Sequence, residues 1–184
     1  MEHLVYLGVG GSGVKALLSL KKRFIETYGK VPPYVFLLAI DSDKSSSSKF
    51  LNSNNGVEIR LEPSELLICS GNKLTGKVND FPQNYTWLSG NAISAIPALG
   101  SLGAPFASLG HFLAVEWSNI IEQRISDFFN QEKNQCKSGK VNIVASLAGG
   151  TGSGMLVDVL HIVNDLITKN NLPHTVTPWL LLPS

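Results

Sequence analysis

Apolar and polar residues fall in alternating blocks along this chain. Short, nearly continuous apolar runs are followed by longer segments with apolar residues at every third or fourth position. The runs are Leu4-Val5-Tyr6-Leu7, Tyr34-Val35-Phe36-Leu37-Leu38-Ala39-Ile40 and Val141-Asn142-Ile143-Val144-Ala145-Ser146-Leu147, and residues 175–182 read as a last strand. Runs of this kind are strands buried on both faces of a sheet. Residues 14–28 place Leu17, Leu18, Leu20, Phe24 and Ile25 at helical spacing, with Ser12 positioned as a cap and Pro32-Pro33 ending the unit. Residues 112–130 read as one helix with Leu113, Trp117, Ile120, Ile121, Ile125 and Phe128 on one face. Residues 155–169 read as another, carrying Leu156, Val159, Leu160, Val163, Leu166 and Ile167. Apolar strands separated by amphipathic helices predict an α/β fold, a Rossmann-like parallel sheet covered on both faces in three layers.

The remaining segments are less regular. Val57-Glu58-Ile59-Arg60-Leu61 alternates and predicts a short edge strand, while the serine run 45–48 and residues 52–55 predict an exposed loop. Residues 63–91 carry no readable pattern. Residues 89–115 contain no Asp, Glu, Lys or Arg, and the stretch exceeds the roughly 20 residues that a membrane span needs. Repeated Gly and Pro interrupt it, however, so it predicts a loop region of small residues that is helical only at its far end. Trp87, Trp117 and Trp179 are expected in the core or at a sheet edge.

Composition narrows the function classes. The 184 residues fit one domain spanning 1–184, and 43% hydrophobic content supplies a substantial core. Fifteen basic and 14 acidic side chains leave a net charge of +1, which argues against nucleic acid as the partner. Cys69 and Cys136 lack the close spacing of a zinc or redox motif, so free thiols in a reducing cytoplasm are expected. His3, His161 and His174 form no metal or triad pattern, and Asp158 and Asp165 read as a solvated stripe on their helix.

Chemistry concentrates in two glycine-rich loops, each between an apolar strand and a helix. The first is Gly8-Val9-Gly10-Gly11-Ser12-Gly13 and the second Gly149-Gly150-Thr151-Gly152-Ser153-Gly154. Removing Cβ atoms at a helix N-terminus lets backbone N–H groups close on an anion, and the helix dipole favours negative charge there. In the second loop the Thr151 hydroxyl is also placed to reach phosphate oxygens. Two such loops suggest a ligand with several phosphates, held from two sides. If their strands are neighbours in the sheet, both loops open into one crevice at the carboxyl ends of the strands. The first loop also satisfies G-x-G-x-x-G, and Asp41 ends the next strand where a dinucleotide's ribose would be held. That oxidoreductase reading leaves the second loop unexplained. The second loop is not a Walker loop, because no Gly-Lys-Ser/Thr closes it.

The second loop resembles the signature phosphate loop of the tubulin/FtsZ superfamily, and the first resembles the first loop of its bacterial branch. Ala39-Ile40-Asp41-Ser42-Asp43 is similar to the second nucleotide loop, and the uncharged residues 98–110, with Gly100, fall where the third stands. Order and spacing of all four match, most closely those of prokaryotic tubulin-like proteins. The resemblance implies a GTP- or GDP-binding domain of a polymerising GTPase, with Mg²⁺ held through phosphates and water. Its implied partners are further copies of itself or the remainder of the same protein. It also implies that the residues gripping guanine, and the acidic residues used for hydrolysis, lie in later segments. The chain is therefore expected to be incomplete at its C-terminal end, and no catalytic residue is named within it.

The implied site is Gly10, Gly11, Ser12, Gly13, Lys15, Asp41, Asp43, Gly100, Gly149, Gly150, Thr151, Gly152, Ser153 and Gly154. Departures stand at Lys15, where relatives place an amide, at Asp41, where FtsZ has asparagine, and at Ala148, which replaces the first glycine of the tubulin triplet. Lys15 reads either as a phosphate contact or as a solvated helix residue. Asp41 and Asp43 read as ribose or Mg²⁺-water ligands, or as caps of the following turn. His111 reads as a residue near the terminal phosphate, or as a surface or capping histidine. A Rossmann NAD(P)-binding oxidoreductase and a non-catalytic interaction module remain as alternatives.

Overall fold

Strand β1 (Glu2–Val9) lies at the centre of a five-stranded parallel sheet, with β2 (Val35–Asp41) on one side and β6 (Ser138–Ser146) on the other. The edges are β5 (Leu66–Ile68), beside β2, and β7 (His174–Leu181), beside β6. The computed structural model describes residues 2–71, 85–99, 103–132 and 138–182. Helix α1 (Gly10–Tyr28) carries the chain from β1 to β2, and α5 (Gly150–Lys169) carries it from β6 to β7. These two crossovers leave the centre of the sheet in opposite directions. Because parallel crossovers share one hand, the helices land on opposite faces. On one face Val14, Leu17 and Leu18 of α1 pack on Val35, Leu37 and Ala39. On the other, Met155, Val159 and Val163 of α5 join Val5, Leu7, Leu38, Ile40, Val141 and Ile143. The expected three layers are therefore present, and β1 and β6 flank the point where strand order reverses.

Several local expectations are corrected. Helix α1 starts at Gly10 rather than Val14; it ends at Tyr28 as read, and Gly29, with φ of 74°, caps it by closing its N–H on the Ile25 carbonyl. The helix read over residues 112–130 is two helices, α3 (Ala107–Glu116) and α4 (Ser118–Glu132). At the break the Ser118 hydroxyl takes the Val115 carbonyl, the ladder restarts, and Ile120 is turned out to solvent. The stretch without charges also holds α2 (Gly90–Ala95), capped by Ser89, and a 3₁₀ turn (Ile96–Ala98). The first turn of α3 reads as loop because the helix is buried through Leu109, Gly110, Phe112, Leu113 and Ala114 and so shows no polar face. Residues 58–60 pair not with the main sheet but as a hairpin, β3 (Phe50–Asn52) against β4 (Glu58–Arg60). The main-sheet edge β5 comes from the segment that carried no pattern.

Among the described residues no helix is long and apolar enough to cross a membrane. Cys69 is a buried free thiol whose pKa burial pushes upward, and Cys136 lies outside the described residues.

Candidate functional site

The carboxyl ends of β1, β2 and β6 converge on one open cavity of about 210 Å³. Val9, Gly10, Gly11 and Ser12 line it from the first loop, and Ser146, Gly149, Gly150, Thr151 and Gly152 from the second. Asp41, Asp43 and Lys49 approach from the segment after β2, and Gly103 and Ala104 close a further side. The glycine loops meet backbone to backbone. A Cβ on Gly10, where φ is +74°, would come 2.8 Å from the Gly152 nitrogen, and one on Gly152 would come 3.1 Å from the Val9 carbonyl oxygen. Side chains at these two positions would push the loops apart.

Both helices that enter the cavity are uncapped. The residue before α1 is Val9 and the residue before α5 is Gly149, and neither end has a side-chain capping hydrogen bond. Ser12 is thus not the cap expected of it, because the helix begins earlier, at Gly10. A helix N-terminus leaves first-turn N–H groups without intrahelical partners and carries partial positive charge. Two such ends on neighbouring strands face the same space.

The glycines divide into two kinds of use. Gly149 and Gly11 border the cavity: nothing stands within 4 Å of a Cβ on Gly149, and the nearest atom to one on Gly11 is the Lys49 Nζ at 3.7 Å. Gly150 and Gly154 also serve packing, since Cβ atoms there would strike the carbonyl oxygens of Ala104 and Ala107 at 2.2 and 2.0 Å. Gly154 lets α5 cross α3 at Gly110. Gly13 is buried against Gly8 and the Val144 carbonyl, where it sets how closely α1 follows its strand.

The hydroxyls and carboxylates are largely engaged within the protein. Thr151 Oγ1 lies 2.6 Å from Ser42 Oγ, which in turn accepts the Ala104 N–H at 2.8 Å. Ser42, which sequence reasoning missed, therefore ties β2, α5 and the 103–104 segment together. Ser153 Oγ donates to the Gly149 carbonyl one turn back. Asp41 is 2% exposed; its Oδ1 accepts the Ser42 N–H at 2.8 Å and its Oδ2 the Ser46 hydroxyl at 2.5 Å. Burial pushes its carboxyl above the ordinary carboxylate value, against these hydrogen bonds and the nearby Lys49 charge. Asp43 accepts both the N–H and the hydroxyl of Ser45, capping a 3₁₀ turn (Lys44–Ser48), and the Ser45 hydroxyl holds its carboxyl below the ordinary value. The serine run is thus a 3₁₀ turn, exposed at Ser45, Ser47 and Ser48 as expected and buried at Ser46.

Two candidate residues stand elsewhere. Lys15 is exposed on α1 and is not among the cavity-lining residues, whereas Lys49 is. His111 is on α3, its Nδ1 2.7 Å from Asp158 Oδ2 of α5 and its ring beside Trp87, away from the cavity lining. Asp158 is therefore an interhelical partner, not part of a solvated stripe. Gly100 lies outside the described residues. Nothing in the sequence pattern marked Lys49 or Ser46, because neither belongs to a glycine motif.

Residues 5–184 match the protein family described as "Tubulin like". The chain belongs to that family. No curated protein is a significant sequence match. Among solved structures, this tubulin-like chain is similar to CetZ from Methanosaeta thermophila, with a TM-score of 0.61 at 15% identity over 100% of this chain and 37% of that one. It is also similar to the GDP-bound monomer of CetZ1 from Haloferax volcanii, with a TM-score of 0.58 at 15% identity over 99% and 42%. At this identity the likeness establishes the tubulin/FtsZ nucleotide-binding fold. The tubulin-like chain spans about two fifths of the length of these structures.

Proposed function

We propose that the chain is the guanine-nucleotide-binding part of a tubulin-like GTPase, holding the phosphates of GTP or GDP between its two glycine loops. The observation that carries this reading is the convergence of two uncapped helix N-termini, α1 and α5, on one cavity at the reversal point of the sheet. Family membership and a GDP-bound structure of the same fold support it. A Rossmann NAD(P) oxidoreductase would use the first loop and leave the second without a role. The cavity is lined by both glycine loops, and it takes the phosphates. Mg²⁺ would bind through phosphate oxygens and water. In this reading residues 1–184 work as one domain in the cytoplasm, and nucleotide-dependent self-association is the activity of the whole protein.

Gly149→Asp tests the reading without disturbing the fold. Backbone angles of φ −96° and ψ 143° suit any residue there, and a Cβ meets open space. The new carboxylate caps α5 and repels phosphate, so two effects of opposite sign are expected. The melting temperature without ligand is unchanged or slightly raised, while the rise that GTP and GDP give the unsubstituted protein is lost. NAD gives little rise in either. Tight NAD binding that survives the substitution would refute the proposal.

A further inference from the structure

Lys49 Nζ donates to Ser46 Oγ at 2.8 Å, and the Ser46 hydroxyl donates in turn to Asp41 Oδ2 at 2.5 Å. With Asp41 buried at the end of β2, this chain of bonds ties the lysine to the carboxyl end of an inner strand of the sheet. The ammonium lies on the first glycine loop, 3.7 Å from where a Gly11 Cβ would stand. The bond to Ser46 uses one of its three protons, leaving two donors. Lys49 is the only cation among the described lining residues, which also carry the carboxylates of Asp41 and Asp43. Without Lys49, the side chains around the cavity would carry only negative charge, a poor receptor for a polyanion.

From this geometry we infer that Lys49 is a phosphate ligand, its ammonium closing over a phosphate group seated on the first glycine loop. The inference rests on the nucleotide reading above and assigns the cationic part of that site. Backbone N–H groups supply direction, and Lys49 supplies the full positive charge that two helix ends lack. Lys15, read from the sequence either as a phosphate contact or as a solvated helix residue, is exposed, and the role falls to a residue 34 positions later in the chain.

The test is calorimetric titration of guanosine, GMP, GDP and GTP into the unsubstituted protein and into Lys49→Met, Lys49→Arg and Lys44→Met. Guanosine is measured by competition against GDP, and circular dichroism verifies folding. Lys44 is exposed on the same 3₁₀ turn, so its removal controls for net charge. Lys49→Met is expected to weaken GDP and GTP by about ten- to a hundredfold, the usual size of a charge-assisted hydrogen bond. Guanosine affinity stays unchanged, Lys49→Arg retains most of the binding, and Lys44→Met matches the unsubstituted protein. If Lys49→Met binds GDP and GTP as tightly as the unsubstituted protein, or loses guanosine equally, the assignment is wrong while the nucleotide site stands. If the unsubstituted protein binds no nucleotide, the site itself is refuted and the Lys49 assignment with it.

Discussion

His3, Gly139 and His174 stand at one level on three adjacent strands, and the glycine between the histidines leaves room for the His174 ring. A Cβ on Gly139 would come 2.2 Å from that ring. Both His174 ring nitrogens are buried without a hydrogen-bond partner among the described residues, and Phe129 meets the ring edge-on at 5.3 Å. Burial, and then the neighbouring His3, hold the pKa of His174 below its ordinary 6.5. The folded state therefore takes up a proton later than the unfolded chain as pH falls. Stability should decline as pH drops through and below about 6.5, until folded His174 itself protonates. Thermal melts between pH 8 and 5 check this. His174→Phe should flatten that part of the profile, and an unchanged profile would show that His174 does not control it. None of this was legible in the sequence, where His3 and His174 are 171 residues apart and form no motif.

At the scale of elements, the crossing of α3 and α5 decides how the second glycine loop is presented. Gly110 on α3 fits against Gly150 and Gly154 on α5, with backbone atoms closer than any side chain allows. Replacing a mid-helix glycine by alanine ordinarily stabilises a helix by about 0.5–1 kcal/mol. For Gly154→Ala we expect the opposite sign, a loss of about 1–3 kcal/mol, because the new methyl would sit 2.0 Å from the Ala107 carbonyl oxygen. Gly149→Ala, open on all sides, should cost almost nothing. Urea denaturation of the two variants gives the comparison, and equal stabilities would show that the helices move apart freely. Sequence reasoning assigned both glycines to phosphate binding, since spacing alone does not reveal which helix lies opposite.

For the molecule as a whole, the sheet is unevenly covered. Edge strand β7 and the residue that follows it leave Trp179, Leu180, Leu181 and Leu182 exposed, and beside the strand Tyr6, Leu17, Leu20 and Val144 line an apolar hollow on the α1 face. An exposed apolar edge strand is a template for pairing with another chain. Sedimentation velocity of the 184-residue protein should therefore show association that grows with concentration. Leu180 and Leu182 alternate onto the same face, so the double substitution Leu180→Lys with Leu182→Lys should reduce it. A chain that stays monomeric at every concentration would show that the exposed edge is harmless.

What the sequence determined by itself is local. Apolar runs specified four of the sheet's strands, helical periodicity specified α1 and α5, and the absence of Cβ atoms marked the two loops. Each of these depends on residues close together in the chain, whose backbone preferences and burial patterns act over a few turns. The tertiary structure alone decided how the pieces are used. It brought Ser42 against Thr151 and Lys49 over Gly11. It also broke the helix at Trp117 and made a sheet edge of Leu66–Ile68. Each of these results from packing between segments distant in sequence. A side chain's role there follows from its neighbours in space, and no spacing rule records them.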